Sequence, residues 1–179
     1  MDQAQKNERL SGRLLPEIEA FKHSRQTLLL ASIDDAGLPS VSYAPYAVDE
    51  AGFYIQISDL AKHGKNLKQC KSVSVMLLQD EAEAKSVFAR KRLTFDVTAE
   101  HLSRDSDDFV AGRAALVARF GEMAENLSAL GDFNMYRLVP SKGLYVKGFG
   151  QAFEIGGADM SQINWKTGEG KGHGHAQPA

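Results

Sequence analysis

The sequence predicts an α+β protein built on a barrel of about six antiparallel strands, with helices at the start and between the fifth and sixth strands. Short apolar segments joined by brief turn sequences are typical of antiparallel strands and not of a Rossmann fold. Helical periodicity is confined to the N-terminus, a short stretch after the third strand, and the region from Ser106. With 179 residues, 43% of them hydrophobic, the chain suits one ordinary domain.

The first half of the chain predicts one amphipathic helix and a three-stranded meander. Apolar residues at helical spacing form a stripe near the N-terminus, which we expect to cover one side of the barrel: Leu10, Leu14, Ile18 and Phe21. Three apolar segments separated by Asp- and Gly-containing turns then predict strands Thr27–Ile33, Ser40–Val48 and Phe53–Ile57.

The second half predicts further strands and two helical regions. Leu60–Gln69 is predicted as a short helix, and Ser72–Gln79 and Arg92–His101 as strands. A helix capped by Ser106 follows, and a second helical piece covers Glu125–Leu130. Two last strands, Phe133–Val139 and Leu144–Phe149, are predicted on either side of Pro140-Ser141-Lys142-Gly143.

Composition restricts the kind of partner. A net charge of −2 gives no reason to expect attraction to nucleic acid or acidic membranes. Cys70 is the only cysteine, so one chain can form neither a disulfide nor a thiolate cluster. The polar first residues do not resemble a signal peptide, and no apolar run is long enough to span a bilayer. We therefore expect a cytoplasmic protein without a nucleic-acid partner or membrane insertion.

The segment from Ile57 to Leu67 is the first that carries chemical information. It runs from a strand end into a helix and contains Ser58, Lys62 and Lys65. Backbone amides at a helix start, together with these side chains, suit a phosphate or a carboxylate. The same residues also suit an ordinary solvated helix with surface lysines, and the spacing leaves both interpretations open.

The C-terminal segment 166–179 is rich in glycine and carries His173 and His175. Imidazole is a good iron ligand, and flanking glycines would let it reach an exposed porphyrin face. Ends rich in glycine and histidine are often disordered, and some bind nickel or zinc adventitiously, so composition alone leaves the role open. We divide the chain into a barrel domain, residues 1–165, and this tail, residues 166–179.

Several dispersed motifs resemble a known superfamily. The pattern Ser-x-Leu-Ala-x-His-x-x-Asn-Leu from Ser58 to Leu67, followed by a valine-rich strand, is similar to the FMN-binding split barrels of the pyridoxamine 5′-phosphate oxidase type. Within that superfamily, nearly the whole chain resembles the bacterial haem-utilisation proteins of the HutZ/HugZ family. The motifs of this closer resemblance are Tyr43-Ala44-Pro45, the segment around His63, Phe88 to Phe95, Arg119 to Glu122, Asp132-Phe133 and Gly143 to Ala152.

The resemblance implies an antiparallel six-stranded split β-barrel with flanking helices that forms a homodimer and binds haem at each interface. It implies that His173, or alternatively His175, ligates the haem iron. Asp132 of the opposite subunit would accept a hydrogen bond from that imidazole and strengthen it as a ligand. Arg92 is implied as an anchor for a haem propionate, and His63 as a group close to the haem.

The function that the resemblance implies is haem degradation. An external electron donor and dioxygen would open the porphyrin ring and release iron, with haem serving as both cofactor and substrate. One alternative is an FMN-dependent oxidoreductase, in which Ser58, Lys65, Arg90 and Arg92 would hold the flavin phosphate. Another is a non-catalytic haem storage or delivery protein with the same ligands. We interpret three aromatic residues as packing residues: Phe133, Phe149 and Trp165.

Overall fold

The computed structural model describes residues 3–166. In chain order its helices and strands are α1 (Gln3–Ser24), β1 (Thr27–Ile33), β2 (Pro39–Asp49), β3 (Gly52–Ser58), α2 (Lys62–Gln69), β4 (Ser72–Leu78), β5 (Arg92–His101), α3 (Asp107–Phe120), α4 (Glu122–Ala129), β6 (Phe133–Gly148), β7 (Gln151–Gly156) and β8 (Gln162–Trp165). Two short 3-10 turns, Glu81–Glu83 and Val87–Ala89, lie in the connection between β4 and β5. Among the described residues, no helix combines the length and the apolar character that crossing a bilayer requires.

Six of the strands close into an antiparallel barrel. Hydrogen bonding follows the order β3-β2-β1-β4-β5-β6, and β6 pairs back with β3 from Phe53 opposite Leu138 to Ser58 opposite Phe133. Strands β7 and β8 extend the sheet beyond the last part of β6. The prediction of a six-stranded antiparallel split barrel with flanking helices is therefore confirmed.

The end of the chain differs from the sequence prediction in two ways. Phe133–Gly148 is one continuous strand, not two strands separated at Pro140. A bulge explains the difference: Asp96 lies opposite Lys142 while Val97 lies opposite Pro140, so Ser141 is extra and the missing proline N–H interrupts the ladder only locally. Strands β7 and β8 were not predicted, since each is short and is defined by its pairing.

The barrel interior is filled by alternate residues of the strands, and two helices contribute to the same core. Leu14, Ile18 and Phe21 of α1 are buried there, as their helical spacing predicts. Leu67 of α2 joins this core, and α2 packs against β1, β2 and β3. The Asn66 amide donates to the Ser32 hydroxyl at 2.9 Å, which satisfies two buried polar groups where α2 meets β1.

One part of the outer barrel wall, here called the covered face, lies under α3 and α4. Its apolar contacts join Tyr54 and Met135 of the sheet to Phe109 and Leu116 of α3. A Cβ on Gly112 would lie 2.6 Å from Tyr54 Cδ1 and 2.8 Å from Met135 Sδ. Only glycine lets α3 come this close to the sheet, so the covered face is tightly packed by the chain itself.

The opposite part of the wall, here called the uncovered face, consists of the outward side chains of β1, β4, β5 and the first half of β2. One transverse row is Tyr43, Leu29, Met76 and Thr94. Tyr43 is 65% exposed and Val41, which precedes it on the same face, is 74% exposed. The described residues thus leave apolar side chains on a regular sheet surface in contact with solvent.

Candidate functional site

Two residues that the sequence analysis named separately are in contact. The Ser58 hydroxyl, at the end of β3, donates to Oδ2 of Asp132 at 2.7 Å. Asp132 lies in the turn before β6, and Phe133 pairs with Ser58, so the β3–β6 register brings the two side chains together. The other carboxylate oxygen, Oδ1, accepts no hydrogen bond from residues 3–166. It can therefore accept one from a donor outside them.

The backbone around this pair is fixed by further contacts. The Asp59 amide donates to the Asp132 carbonyl at 2.8 Å, and the Leu60 amide donates to the Ser58 hydroxyl at 3.1 Å. A Cβ on Gly64 would lie 2.2 Å from the Ser58 carbonyl oxygen, so glycine is needed where α2 passes the end of β3. The end of β3, the start of α2 and the turn before β6 thus together define the position of the Asp132 carboxylate.

A polar network continues from this pair and was missed by the sequence analysis. The Asn134 amide donates to Asp59 Oδ1 at 2.6 Å, and Lys68 pairs with the same oxygen at 2.7 Å. His101 Nε2 lies 3.0 Å from Asn134 Oδ1, and its ring packs edge-on against Tyr136. The only sequence signal was that Asp59 is next to Ser58 in the chain and Asn134 is close to Asp132. The contact between Asp59 and Asn134 depends on the pairing of β3 with β6, which the sequence near either residue does not reveal.

His63 and Lys65 lie on α2, immediately after the Ser58 turn. His63 is half-buried, and burial lowers the pKa of its imidazole below the ordinary value, so the ring is neutral near pH 7. Lys65 is exposed. Lys62, from the same helix turn, pairs with Asp34 at 3.1 Å. The predicted residues on α2 therefore lie close to Ser58 along the chain, without a direct bond to it.

The two arginines at the start of β5 differ in their contacts. Arg90 donates from Nε to the Gln79 carbonyl at 2.7 Å and pairs through Nη1 with Glu81, so it braces the connection between β4 and β5. Arg92 is exposed on the outer side of β5 and makes no side-chain hydrogen bond or ion pair with the described residues. Of the two, Arg92 is the one whose guanidinium is available to an anion.

The structure places these residues in two separate groups in one protomer. Ser58 lies on β3 and Arg92 on β5, and these strands do not pair with each other. Strand β6 separates them on one side of the barrel, and β2, β1 and β4 separate them on the other. The uncovered face lies on those three strands and β5. Arg92 is an outward residue of β5 and so lies on the uncovered face, whereas the Ser58–Asp132 pair lies outside it.

Apolar residues project beside Arg92. Phe149, in the turn after β6, is 75% exposed, and Phe88 in the 3-10 turn is 83% exposed. That turn packs against β6, whose Val146 lies opposite Arg92. The interpretation of Phe149 as a packing residue is therefore wrong within one protomer, because the residue lies in a tight turn at the sheet edge. Trp165, by contrast, packs edge-on against Phe153 with ring centroids 4.8 Å apart.

The predicted iron ligands, His173 and His175, lie outside the described residues. Within residues 3–166 no group of three or more His, Cys, Asp or Glu side chains is arranged to hold a metal ion.

Comparison with known proteins identifies the family. The family model described as pyridoxamine 5′-phosphate oxidase matches residues 14–147. The chain is 49% identical over 160 residues to "Heme oxygenase HutZ" of Vibrio cholerae serotype O1, which covers 89% of this chain and 91% of that protein.

Two solved structures agree with this match. HutZ from Vibrio cholerae, described as a heme storage protein, aligns with a TM-score of 0.72 and 48% identity over 76% of this chain and 96% of that one. ChuZ of Campylobacter jejuni aligns with a TM-score of 0.82 and 30% identity over 92% of this chain and 67% of that one. The chain therefore belongs to the HutZ family of haem-utilisation proteins, within the pyridoxamine 5′-phosphate oxidase-like split barrels.

Proposed function

We propose that this protein binds haem between two protomers and opens the porphyrin ring to release iron. The observation that carries the proposal is the 49% identity, over most of both chains, to a protein described as a heme oxygenase. Haem would be the substrate as well as the cofactor. Three features of the described residues support the placement of the site: an uncovered apolar face, a carboxylate beside it with an available oxygen, and an exposed arginine.

The uncovered face supports a homodimer. Exposed apolar side chains on a regular sheet, such as Val41 and Tyr43, cost free energy in water and are typical of a surface that another protein covers. A two-fold symmetric partner would cover the same face on both chains. Such a dimer would also bring Arg92 of one protomer towards the Ser58–Asp132 pair of the other, residues that a single protomer holds apart.

The roles of the site residues follow from their chemistry. His173, or alternatively His175, would ligate the haem iron through a neutral imidazole. Asp132 Oδ1 would accept the remaining ring N–H of that imidazole, while the Ser58 hydroxyl holds Oδ2. Arg92 would bind a propionate through paired hydrogen bonds, and neutral His63 would line the site without adding charge.

Bound haem supplies the redox-active iron at which electrons from an external donor and dioxygen are used. The chain's own residues bind and orient the haem. A carboxylate that accepts an imidazole N–H gives the ring more imidazolate character, which makes the opposite nitrogen a stronger donor. Removal of that acceptor should therefore weaken the donor before it abolishes binding.

Haem storage is the second candidate, because the solved HutZ structure is described as that of a heme storage protein. Storage would use the same ligands and the same interface without turnover. The two functions differ only in what happens when a reductant and dioxygen are supplied, so they are separated by one measurement on the same sample.

An FMN-dependent oxidoreductase is the alternative that the family model favours. Ser58, Lys65, Arg90 and Arg92 would then hold the flavin phosphate. Two contacts weigh against it: Arg90 is engaged by Glu81, and the Asp132 carboxylate, bonded to Ser58, would repel a phosphate at that position. A protein that retains FMN through purification would favour this alternative.

The proposal is tested by adding haemin to the purified protein. We expect a shifted haem absorption band, lost in His173→Ala or His175→Ala, whichever is the ligand. Asp132→Asn should retain the band but degrade haem on the order of ten times more slowly with a reductant in air. Asp108→Asn, on α3 away from the site, is the matched control. No haem band in the wild type would contradict haem binding, and a stable band in reductant and air would favour storage.

A further inference from the structure

The turn between α4 and β6, which carries Asp132, is held from outside by one arginine. Arg104 lies in the connection between β5 and α3. Its Nη1 donates to the Ser128 carbonyl, and its Nη2 donates to the carbonyls of Leu130 and Phe133, the last at 2.9 Å. These three carbonyls stand on both sides of Asp132 in the chain. One guanidinium therefore binds the backbone on both sides of Asp132.

The guanidinium is suited to this position for two reasons. The last carbonyls of a helix have no partner within the helix, and α4 ends just before the turn. A guanidinium presents five donors in a rigid fork, so it can bind several carbonyls at once, whereas a lysine ammonium is a point charge on a flexible stem. The Arg104 Cζ also lies 5.7 Å from the ring centroid of Phe109, a buried residue of the covered face, which holds the fork in place.

Asp132 is thus held from two directions. From the barrel, the Ser58 hydroxyl binds its carboxylate and the Asp59 amide binds its carbonyl. From α4, Arg104 binds the flanking carbonyls. We infer that Arg104 is a positioning residue that keeps Asp132 Oδ1 oriented towards its hydrogen-bond donor. This role rests on the proposed function, since the donor it serves is the iron-bound imidazole.

A second arginine provides a matched control. Arg113 of α3 donates from Nε to the Ser128 hydroxyl at 3.0 Å and from Nη2 to Glu125 at 2.6 Å. It therefore joins α3 to α4 at the same serine as Arg104, but it donates to neither carbonyl beside Asp132. Arg113→Met removes an arginine from the α3–α4 contact and leaves the bonds of the turn itself in place.

The first test needs no haem. Amide hydrogen exchange is measured for Asp59, whose N–H donates to the Asp132 carbonyl. We expect exchange about tenfold faster in Arg104→Met than in the wild type, since loosening the turn opens that bond more often. Arg104→Lys should fall between the two, and it replaces the methionine variant if that one does not fold. Arg113→Met should leave Asp59 exchange unchanged. An unchanged rate in both Arg104 variants would overturn the inference.

The second test uses the haemin-loaded protein. The iron–histidine stretching frequency of the reduced form should shift in Arg104→Met in the same direction as in Asp132→Asn, by a smaller amount, and not in Arg113→Met. A lower melting temperature in the Arg104 variant without any frequency shift would show a structural role only and would overturn the inference. If the wild type binds no haem, the proposed function fails, whereas the exchange result still decides whether Arg104 positions Asp132.

Discussion

The two faces of the barrel wall are built from the same kind of sheet, but the chain's own helices cover only one of them. On the covered face, Tyr54 and Met135 lie under α3 and are almost fully buried. On the uncovered face, Tyr43 and Val41 occupy equivalent outward positions and remain mostly exposed. Helix α3, which comes close to the sheet at Gly112, makes the first surface part of the core. This difference is the reason for proposing that a second chain covers the second surface.

The largest effect should come from a charge on the uncovered face. Tyr43→Asp would place an unpaired carboxylate between apolar neighbours in the proposed interface, and we expect dimerisation to weaken on the order of a hundredfold or more. Sedimentation should report a monomer, with unchanged far-UV circular dichroism and weakened haem binding. Val110→Asp, at an exposed position of α3, should leave the mass unchanged. A Tyr43→Asp protein of the same mass as the wild type would contradict an interface on this face.

A methyl group tests the packing of the covered face. Gly112→Ala would push its Cβ against Tyr54 and Met135, so we expect a loss of about 2 kcal/mol in the free energy of unfolding. Gly12→Ala is the matched control, because nothing lies within 4 Å of a Cβ at that position of α1. It should raise the free energy of unfolding by up to about 1 kcal/mol, since alanine favours a helix interior. Urea denaturation measures both, and equal effects would contradict the difference in packing.

The smallest effect on stability should come from His63. This residue lies on α2, a helix that packs against β1, β2 and β3. Burial lowers the pKa of its imidazole in the folded protein below the ordinary value of 6.5. The unfolded chain therefore binds the proton more readily, and this contribution to stability, present above pH 6.5, is lost as the pH falls below it. His63→Gln should lose less stability than the wild type between pH 7.5 and 5.5 in urea titrations. The same loss in both proteins would contradict this assignment.

The sequence patterns predicted the parts of the fold that depend on neighbouring residues. Thr27–Ile33 and Arg92–His101 have the predicted bounds, because clean alternation and flanking turns define them. The continuation of β6 through Pro140 could not be predicted, since a bulge that forms only against β5 accommodates the proline. Strand β8 has four residues and exists through its pairing with β7.

The candidate site was predicted in its members but not in its arrangement. Ser58 was named as a group that could bind an anion such as a flavin phosphate, whereas Asp132 was named as the acceptor of a hydrogen bond from the axial imidazole. Their hydrogen bond follows from the β3–β6 register, which joins distant parts of the chain. Arg104 could not be found from the sequence at all, because an isolated arginine in a loop carries no pattern and its three acceptors are backbone carbonyls.

The pairing of β3 with β6 also sets the order in which the protein can fold during synthesis. Strand β3 is translated well before β6. Among the described residues, β2 is the one other strand that pairs with β3. One edge of β3 therefore stays open in the nascent chain until residues 133–138 leave the ribosome. During that interval the open edge could pair with a wrong strand. We therefore expect closure of the barrel to be a late step of folding that depends on long-range contacts.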